Sequence, residues 1–541
     1  MRTSVKVANM RRILCIFPAY SPAFGTFSHA YKLMPGVRAF MPPQGLLLIA
    51  AYMPPEWPVR FIDENIAPAS DDDLDWADVV LVSGMHIQAP QIRDIHSRVK
   101  AARKVMALGG PSASASPEMY PDVEYLHIGE LGDATDRMIA RLDESLAPPP
   151  AQVRFETKER VALYDFPIPA YDLIPLRSYL MLTLQFSSGC PYRCEFCDIP
   201  NLYGRVPRLK TPQQILAELD AMRRQPHPPV AYFVDDNFIG NRKATREMLP
   251  HLVEWQKQHG YPMEFSCEAT LNIAKHTEIL ALMRQASFMG LFVGIETPEA
   301  DALKAMRKDQ NVAVPMLESI RTLNSYGLEV TSGIILGLDT DTPDTETRLK
   351  DFVDLSQIPM LTINLLQALP KTPLWDRLKR DGRISDDPTR ESNVRFLRPY
   401  DEVISMWRRA IAYAYDPERL FARFAYQVEA TYVHRLVPPA GGKLNWANLK
   451  FAAIFAARIV YYLGIRSDYR RPFWRAARHA ARRGRFDMVF GMAFIAHHLI
   501  EFTREALRGD QNASFYSTLR KQQEKARSSR PALEVPLRES A

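Results

Sequence analysis

Cysteine is scarce, with five in 541 residues. That number, in a chain this long, excludes the disulfide framework of a small secreted fold. Long apolar runs are also missing: no stretch reaches the roughly 18 uncharged residues that a spanning helix requires. The opening "MRTSVKVANMRRILCIFP" sets basic residues before an apolar run too short for a signal-peptide core. It reads instead as the entry to a buried strand. No repeat is visible beyond an alternation of strand and helix signals. Strong net charge is absent too. The total is +6, which gives no whole-domain basic field for nucleic acid. A soluble or peripheral cytoplasmic protein is expected, without a nucleic-acid partner.

What is present is globular: 47% hydrophobic, 24% charged and 10% aromatic residues. The length argues for two to four domains, since one core stops growing at smaller sizes. Only the last twenty to thirty residues lack a folding pattern.

The first 145 residues alternate short apolar runs ("RRILCIFP", "VRFIDEN", "ADVVLVSG", "KVMALGG", "EYLHIGE") with helical patterns. Such alternation predicts a doubly wound, Rossmann-like α/β domain over residues 1–148. Ligands of such sheets sit beyond the carboxyl ends of the strands. Those ends read Ser83-Gly84-Met85, Gly109-Gly110-Pro111 and Gly129-Glu130. Small residues there would admit a large flat ligand, or would simply make tight turns. "SLAPPPAQVRFETKER" reads as part of a linker over 149–178.

A second alternating series follows over 179–385: "MLTLQFSSG", "VAYFVDDNF", "MEFSCEAT", "MGLFVGIET", "LEVTSGIILG" and "MLTINLLQALP". Six βα units suggest a partial barrel with its chemistry at the strand C-terminal ends. From 386 to 541 the chain reads as an α-helical domain.

Three of the five cysteines, Cys190, Cys194 and Cys197, lie in "SSGCPYRCEFCDIP". A structural zinc site needs four ligands, usually as two pairs, and no second pair follows. Cys267 lies on the strand face opposite Glu264, Ser266 and Glu268, so it is expected to pack outward under helices. Cys15, inside an apolar strand, reads as a small buried hydrophobe. Three thiolates suit a 4Fe–4S cluster with one open iron.

The C-x3-C-x2-C loop after the first barrel strand, with Phe196 before its last cysteine, resembles the radical S-adenosylmethionine (SAM) superfamily. That resemblance implies that the open iron chelates SAM, which yields a 5′-deoxyadenosyl radical. It also implies SAM contacts at Phe196, Asp235, Asp236, Glu268 and the Gly294–Glu296 strand end. A doubly wound domain ahead of such a barrel resembles the cobalamin-binding class, with the strand ends from Ser83 to Glu130 about the corrin. The D-x-H-x-x-G fingerprint is absent, since the first loop reads "PAYSPAFGTFSH", so no axial histidine is assigned. His86 reads as a loop histidine.

Whole segments, among them "VRAFMPPQGLLLIAAYMP", "YLHIGELGDAT", "YFVDDNFIGNR", "TINLLQALPKTPLWDRL", "AHHLI" and "QNAS", are similar to the bacterial hopanoid C-2 methylases with their DUF4070-type C-terminal domain. The resemblance implies methylation of an unactivated carbon, C-2 of a hopanoid A ring, with methylcobalamin delivering the methyl group. An electron donor such as flavodoxin or ferredoxin is implied as well. The rival enzyme reading is a cobalamin radical SAM oxidoreductase or ring-rearranging enzyme. A third is a binding protein that holds a cluster for electron transfer.

The tail concentrates positive charge. Residues 451–541 hold 17 basic and 8 acidic residues, which leaves the first 450 net negative. Eight arginines fall between 465 and 485, among Tyr469, Phe473 and Trp474. Two readings stay open: a cap on the barrel with solvated arginines, or peripheral contact with the inner face of the bacterial inner membrane.

Overall fold

The computed structural model describes residues 7–387, 390–437 and 446–509. The "QNAS" segment and the end of the tail lie outside the described residues.

The first sheet has six parallel strands: β1 (Ile13–Phe17), β2 (Val59–Asp63), β3 (Val79–Ser83), β4 (Val105–Gly109), β5 (Tyr125–Ile128) and β6 (Val153–Glu156). Their order is β2-β1-β3-β4-β5-β6. Both faces are covered, which explains the unbroken apolar runs. Ile13, Cys15 and Phe17 enter one core, while Leu14 and Ile16 enter the other.

β6 corrects the reading of 149–178 as a linker, because Val153–Glu156 pairs in register with β5. Its exposed Arg154 and Glu156 are the polar alternation of an edge strand, which sequence alone presents as linker.

The second sheet curves into a partial barrel. β7 (Leu182–Leu184) is followed by the short pair β8 (Ser187–Ser188) and β9 (Arg208–Leu209). Then come β10 (Val230–Phe233), β11 (Glu264–Ala269), β12 (Phe288–Glu296), β13 (Glu329–Leu336) and β14 (Leu361–Leu365). The barrel strands run β14-β13-β12-β11-β10-β7, all parallel. On β11, Phe265, Cys267 and Ala269 are buried while Glu264, Ser266 and Glu268 are not. Cys267 therefore packs into the helical layer, as the alternation predicts.

Helices follow β14. The helix Tyr400–Ala414 lies along it, with Trp407 Nε1 donating to the Ile363 carbonyl at 2.8 Å. That contact covers an edge which an open barrel would otherwise leave unpaired. The last described helix, Phe486–Arg508, packs on the short turn Ser28–Ala30 of the first domain's opening loop.

Candidate active site

The strand order turns back at β1, so its two neighbours, β2 and β3, lie on opposite sides. A crevice forms where such an order reverses. Here it is a cavity of about 380 Å³. All eight strand-end residues named above, Ser83, Gly84, Met85, Gly109, Gly110, Pro111, Gly129 and Glu130, line it. Its other wall comes from the barrel: Thr183, Gln185, Tyr203, Val234 and Asp236. The cavity is therefore a seam between the two sheets.

The strand ends differ in what they offer. Gly110 has φ +84°, and a Cβ there would stand 2.3 Å from Ser83 Oγ, so this glycine serves its own turn. Glu130 lines the cavity, but its carboxylate is paired with Arg208 at 2.6 Å and Arg160 at 3.1 Å. Its carboxylate is thus held by two guanidinium groups at the cavity wall. His86 sits in the turn His86–Gln88 and is not among the cavity's lining residues. His127, which sequence reasoning missed, does line it. Its Nε2 is 2.8 Å from Thr135 Oγ1, and burial holds its pKa down at about 4.

The antiparallel pair β8–β9 closes the loop that carries the cysteines. Three groups fix this loop. The Gly189 N–H donates to Asp236 Oδ2 at 2.6 Å, and the Glu195 N–H donates to the Met306 carbonyl at 2.9 Å. Arg377 grips the Glu195 carboxylate with two donors, at 2.6 and 3.1 Å. Gln310 Nε2 lies 3.4 Å from Cys194 Sγ.

Among the described residues, no three His, Cys, Asp or Glu side chains converge on a single-ion site. The three thiols suit a cubane, in which each cysteine holds a different iron. Burial pushes the Cys190 and Cys197 thiols up, and bound iron would supply the charge that favours thiolate.

The expected SAM residues divide into two groups. Asp235 is buried and accepts from the Phe186 N–H at 3.0 Å and from the Ser187 N–H and hydroxyl. It braces the strand leading into the cysteine loop. Burial raises its pKa to about 7. Glu296 is likewise occupied, at 2.5 Å from Lys308 Nζ, with both side chains nearly buried. Its φ of +67° is strained for a residue with a Cβ, and the β12–β13 register shifts there. A Cβ on Gly294 would stand 2.5 Å from Glu296 Oε1 and 2.7 Å from Lys308 Nζ. The glycine thus makes room for the ion pair, and Asn311 Nδ2 donates to its carbonyl at 2.8 Å.

Asp236 and Glu268 are less fully engaged, Asp236 accepting from the Gly189 N–H and Glu268 from Tyr232. Asp236 lines the cavity, and burial, only partly offset by the Gly189 N–H, raises its pKa to about 6. Glu268 faces the hollow enclosed by the strands. It is exposed to that space while surrounded by protein, and burial and then Asp236 raise its pKa to about 7. A cationic ligand would reverse both shifts. Phe196 packs against the apolar cluster that holds Leu303 and Leu374, with Lys308 Nζ 5.5 Å from its ring centre. Sequence reasoning missed Lys308, Gln310 and Asn311. Their only signal is the polar run "KDQN", of which Lys308, Gln310 and Asn311 are buried and Asp309 is exposed.

Residues 184–353 match the Radical SAM superfamily and residues 372–512 match a domain of unknown function, DUF4070. The hopanoid C-2 methylase of Rhodopseudomonas palustris (strain TIE-1) is 57% identical over 94% of this chain and 96% of its own length. The chain belongs to the hopanoid C-2 methylase family. It is a radical SAM methyltransferase, and its cysteine loop falls within the segment that matches that superfamily. An uncharacterized methyltransferase of Synechocystis sp. (strain ATCC 27184 / PCC 6803 / Kazusa) is 32% identical over 95% of this chain and 96% of that protein.

Two solved structures share the methylase fold. The cobalamin-dependent SAM radical enzyme OxsB has a TM-score of 0.56 at 15% identity, covering 96% of this chain and 84% of that one. The radical SAM methyltransferase TsrM from Kitasatospora setae also scores 0.56, at 13% identity, over 90% of this chain and 99% of its own. Among the described residues no helix is long and apolar enough to cross a membrane.

Proposed function

We propose that this methyltransferase acts on C-2 of the A ring of a hopanoid, with cobalamin in the seam cavity and SAM at the cluster. The observation that carries the reading is the cavity itself. One wall is the C-terminal edge of a doubly wound sheet, and the other is the barrel mouth beside the cysteine loop. The 57% identity with the hopanoid C-2 methylase, over nearly the whole of both chains, supports the same substrate class.

An unactivated carbon offers no acidic proton and no nucleophile, so positioned side chains alone cannot methylate it. When bound, the cluster with SAM supplies an adenosyl radical and methylcobalamin supplies a methyl group. The protein's own work is orientation and exclusion of water. Cys190, Cys194 and Cys197 would hold the cluster through their thiolates. Asp236 and Glu268 accept from the ammonium and hydroxyl groups of SAM. Phe196 and the Gly294–Glu296 strand end bound the same space, Glu296 through its pair with Lys308. The small strand-end residues from Ser83 to Gly129 bed the corrin against the first sheet. Phe17, Leu81 and Met138, all lining the cavity, keep that side dry. An electron donor such as flavodoxin or ferredoxin completes the system.

The test is transfer from SAM carrying a deuterated methyl group to a hopanoid, using the cluster-loaded, cobalamin-loaded chain. Label on the A-ring fragment, formed together with 5′-deoxyadenosine, is the expected outcome. 5′-Deoxyadenosine without labelled hopanoid would sink the substrate assignment and leave the radical chemistry standing.

A further inference from the structure

The helix Trp446–Ile459 continues into a π-helical turn, Val460–Arg466, and this element is apolar on two sides. Phe455, Ile459 and Leu463 face inward and are buried. Leu449, Ala453, Ala457, Val460, Tyr461 and Ile465 face water. Leu449 and Tyr461 are each 53% exposed and Ile465 is 62% exposed. Steps of three and four residues put them on one stripe, about 24 Å long at about 1.5 Å per residue. No acidic residue occurs between Trp446 and Arg466.

The neighbouring helix, Arg470–Arg482, is locked beside the end of this stripe. Trp474 Nε1 donates to the Gly464 carbonyl at 3.0 Å, and a Cβ on Gly464 would stand 2.7 Å from the Trp474 ring. The outer side of this helix carries Arg471, Arg475, Arg478 and Arg482.

The acids nearby are already taken. Glu418 pairs with Arg475, Glu429 with Arg483 and His479, Asp468 with Arg504, and Asp487 with Arg485. Among the described residues, Lys450, Arg466, Arg471, Arg478 and Arg482 have no acidic partner. An acid-free apolar stripe beside uncompensated cations is the composition of a helix lying in a membrane interface.

We propose that the helix Trp446–Arg466 docks flat on an anionic bilayer, with the outer arginines of Arg470–Arg482 among the lipid headgroups. A second copy of the chain suits the surface poorly. A two-fold contact would bring the same unpaired arginines against each other. Nucleic acid would leave the apolar stripe in water. The proposal holds whichever lipid is methylated, so it can fail without touching the substrate assignment.

The test is flotation of the cluster-loaded chain with vesicles of phosphatidylcholine alone or mixed with phosphatidylglycerol. Binding to the mixed vesicles that weakens with added salt is expected. Leu449→Glu with Ile465→Glu should abolish it. Neutralising Arg471, Arg478 and Arg482 to Gln should weaken it by about fivefold per arginine. Both variants should keep the wild-type unfolding midpoint and cluster absorbance. Hydrogen exchange of the unmodified chain gives a reading independent of the variants' folding, with vesicle-dependent protection expected at 446–482. Three results overturn the proposal: no flotation of the wild type, undiminished flotation of the Glu variant, or a dimer that the Glu variant dissolves.

Discussion

Arg208 Nη2 donates to both oxygens of Glu130, at 2.8 and 2.6 Å, across the seam between the two sheets. Glu130 follows β5 of the first sheet, and Arg208 begins β9, the strand that closes the cysteine loop. Arg160 joins them, bonding Glu130 while donating to the Leu202 and Tyr203 carbonyls. The pair therefore ties the strand ends of the first sheet to the cysteine loop.

Glu130→Gln should accordingly uncouple the sites more than it damages either one. Loss of a partly buried, charge-assisted pair costs about 2 kcal/mol, read as a lower unfolding midpoint. Arg208→Lys should restore little, because an ammonium cannot reproduce the guanidinium's spread of donors. Cluster absorbance should stay intact in both variants while methyl transfer falls. Full methyl transfer in Glu130→Gln would contradict this role.

Lys308→Met should destabilise the barrel by about 3 kcal/mol, because it leaves the Glu296 carboxylate buried without a partner. Adding Glu296→Gln to that variant should recover part of the loss, since the orphaned charge is then removed. Thermal unfolding of the single and double variants makes the comparison. A double variant worse than the sum of the two single ones would refute the pairing.

Arg377→Ala should loosen the cysteine loop through Glu195. The expected result is faster loss of the cluster's visible absorption in air, with secondary structure unchanged by circular dichroism. Unaltered cluster decay would show that the Met306 and Gln310 contacts suffice.

His498 sits under the loop at Ala23 and Phe24, with Nε2 3.1 Å from both carbonyls. Burial holds its pKa down at about 3, against an ordinary 6.5. Below pH 6.5 the unfolded chain binds this proton and the folded chain does not. The stability the neutral ring contributes is therefore present above about 6.5 and lost as pH falls toward about 3. Carboxyls elsewhere titrate as well, so the readout is a difference. His498→Gln keeps a donor but takes no proton, and its stability deficit relative to wild type should shrink between pH 7 and 5. A deficit independent of pH would show that the imidazole's protonation is irrelevant.

Much of this arrangement was legible in the sequence, for physical reasons. A strand buried on both faces must be an apolar run, so β1, β3 and β4 announce themselves, and their ends mark the cavity. Three closely spaced cysteines can be read without knowing what surrounds them. What was hidden depends on long-range pairing. Nothing local in "IGELGD" or "RVPRLK" says that Glu130 and Arg208 meet. Asp235 looks like any strand-end carboxylate until Ser187 is seen against it, and only the fold shows that Glu296 has Lys308. β6 was missed because an edge strand carries the charges of a linker. The outward stripe at Leu449 to Ile465 is hidden in a tail that reads only as α-helical and basic, since sequence cannot say which apolar face stays uncovered.

The most direct test is lipid mass spectrometry on a bacterium that makes hopanoids but does not methylate them, given this chain or its Cys194→Ala variant. The expected result is a hopanoid heavier by one CH2, with the gain on the A-ring fragment, formed by the wild type and absent with the variant. Unchanged hopanoids in cells that hold the folded, cluster-loaded wild type would contradict the assignment.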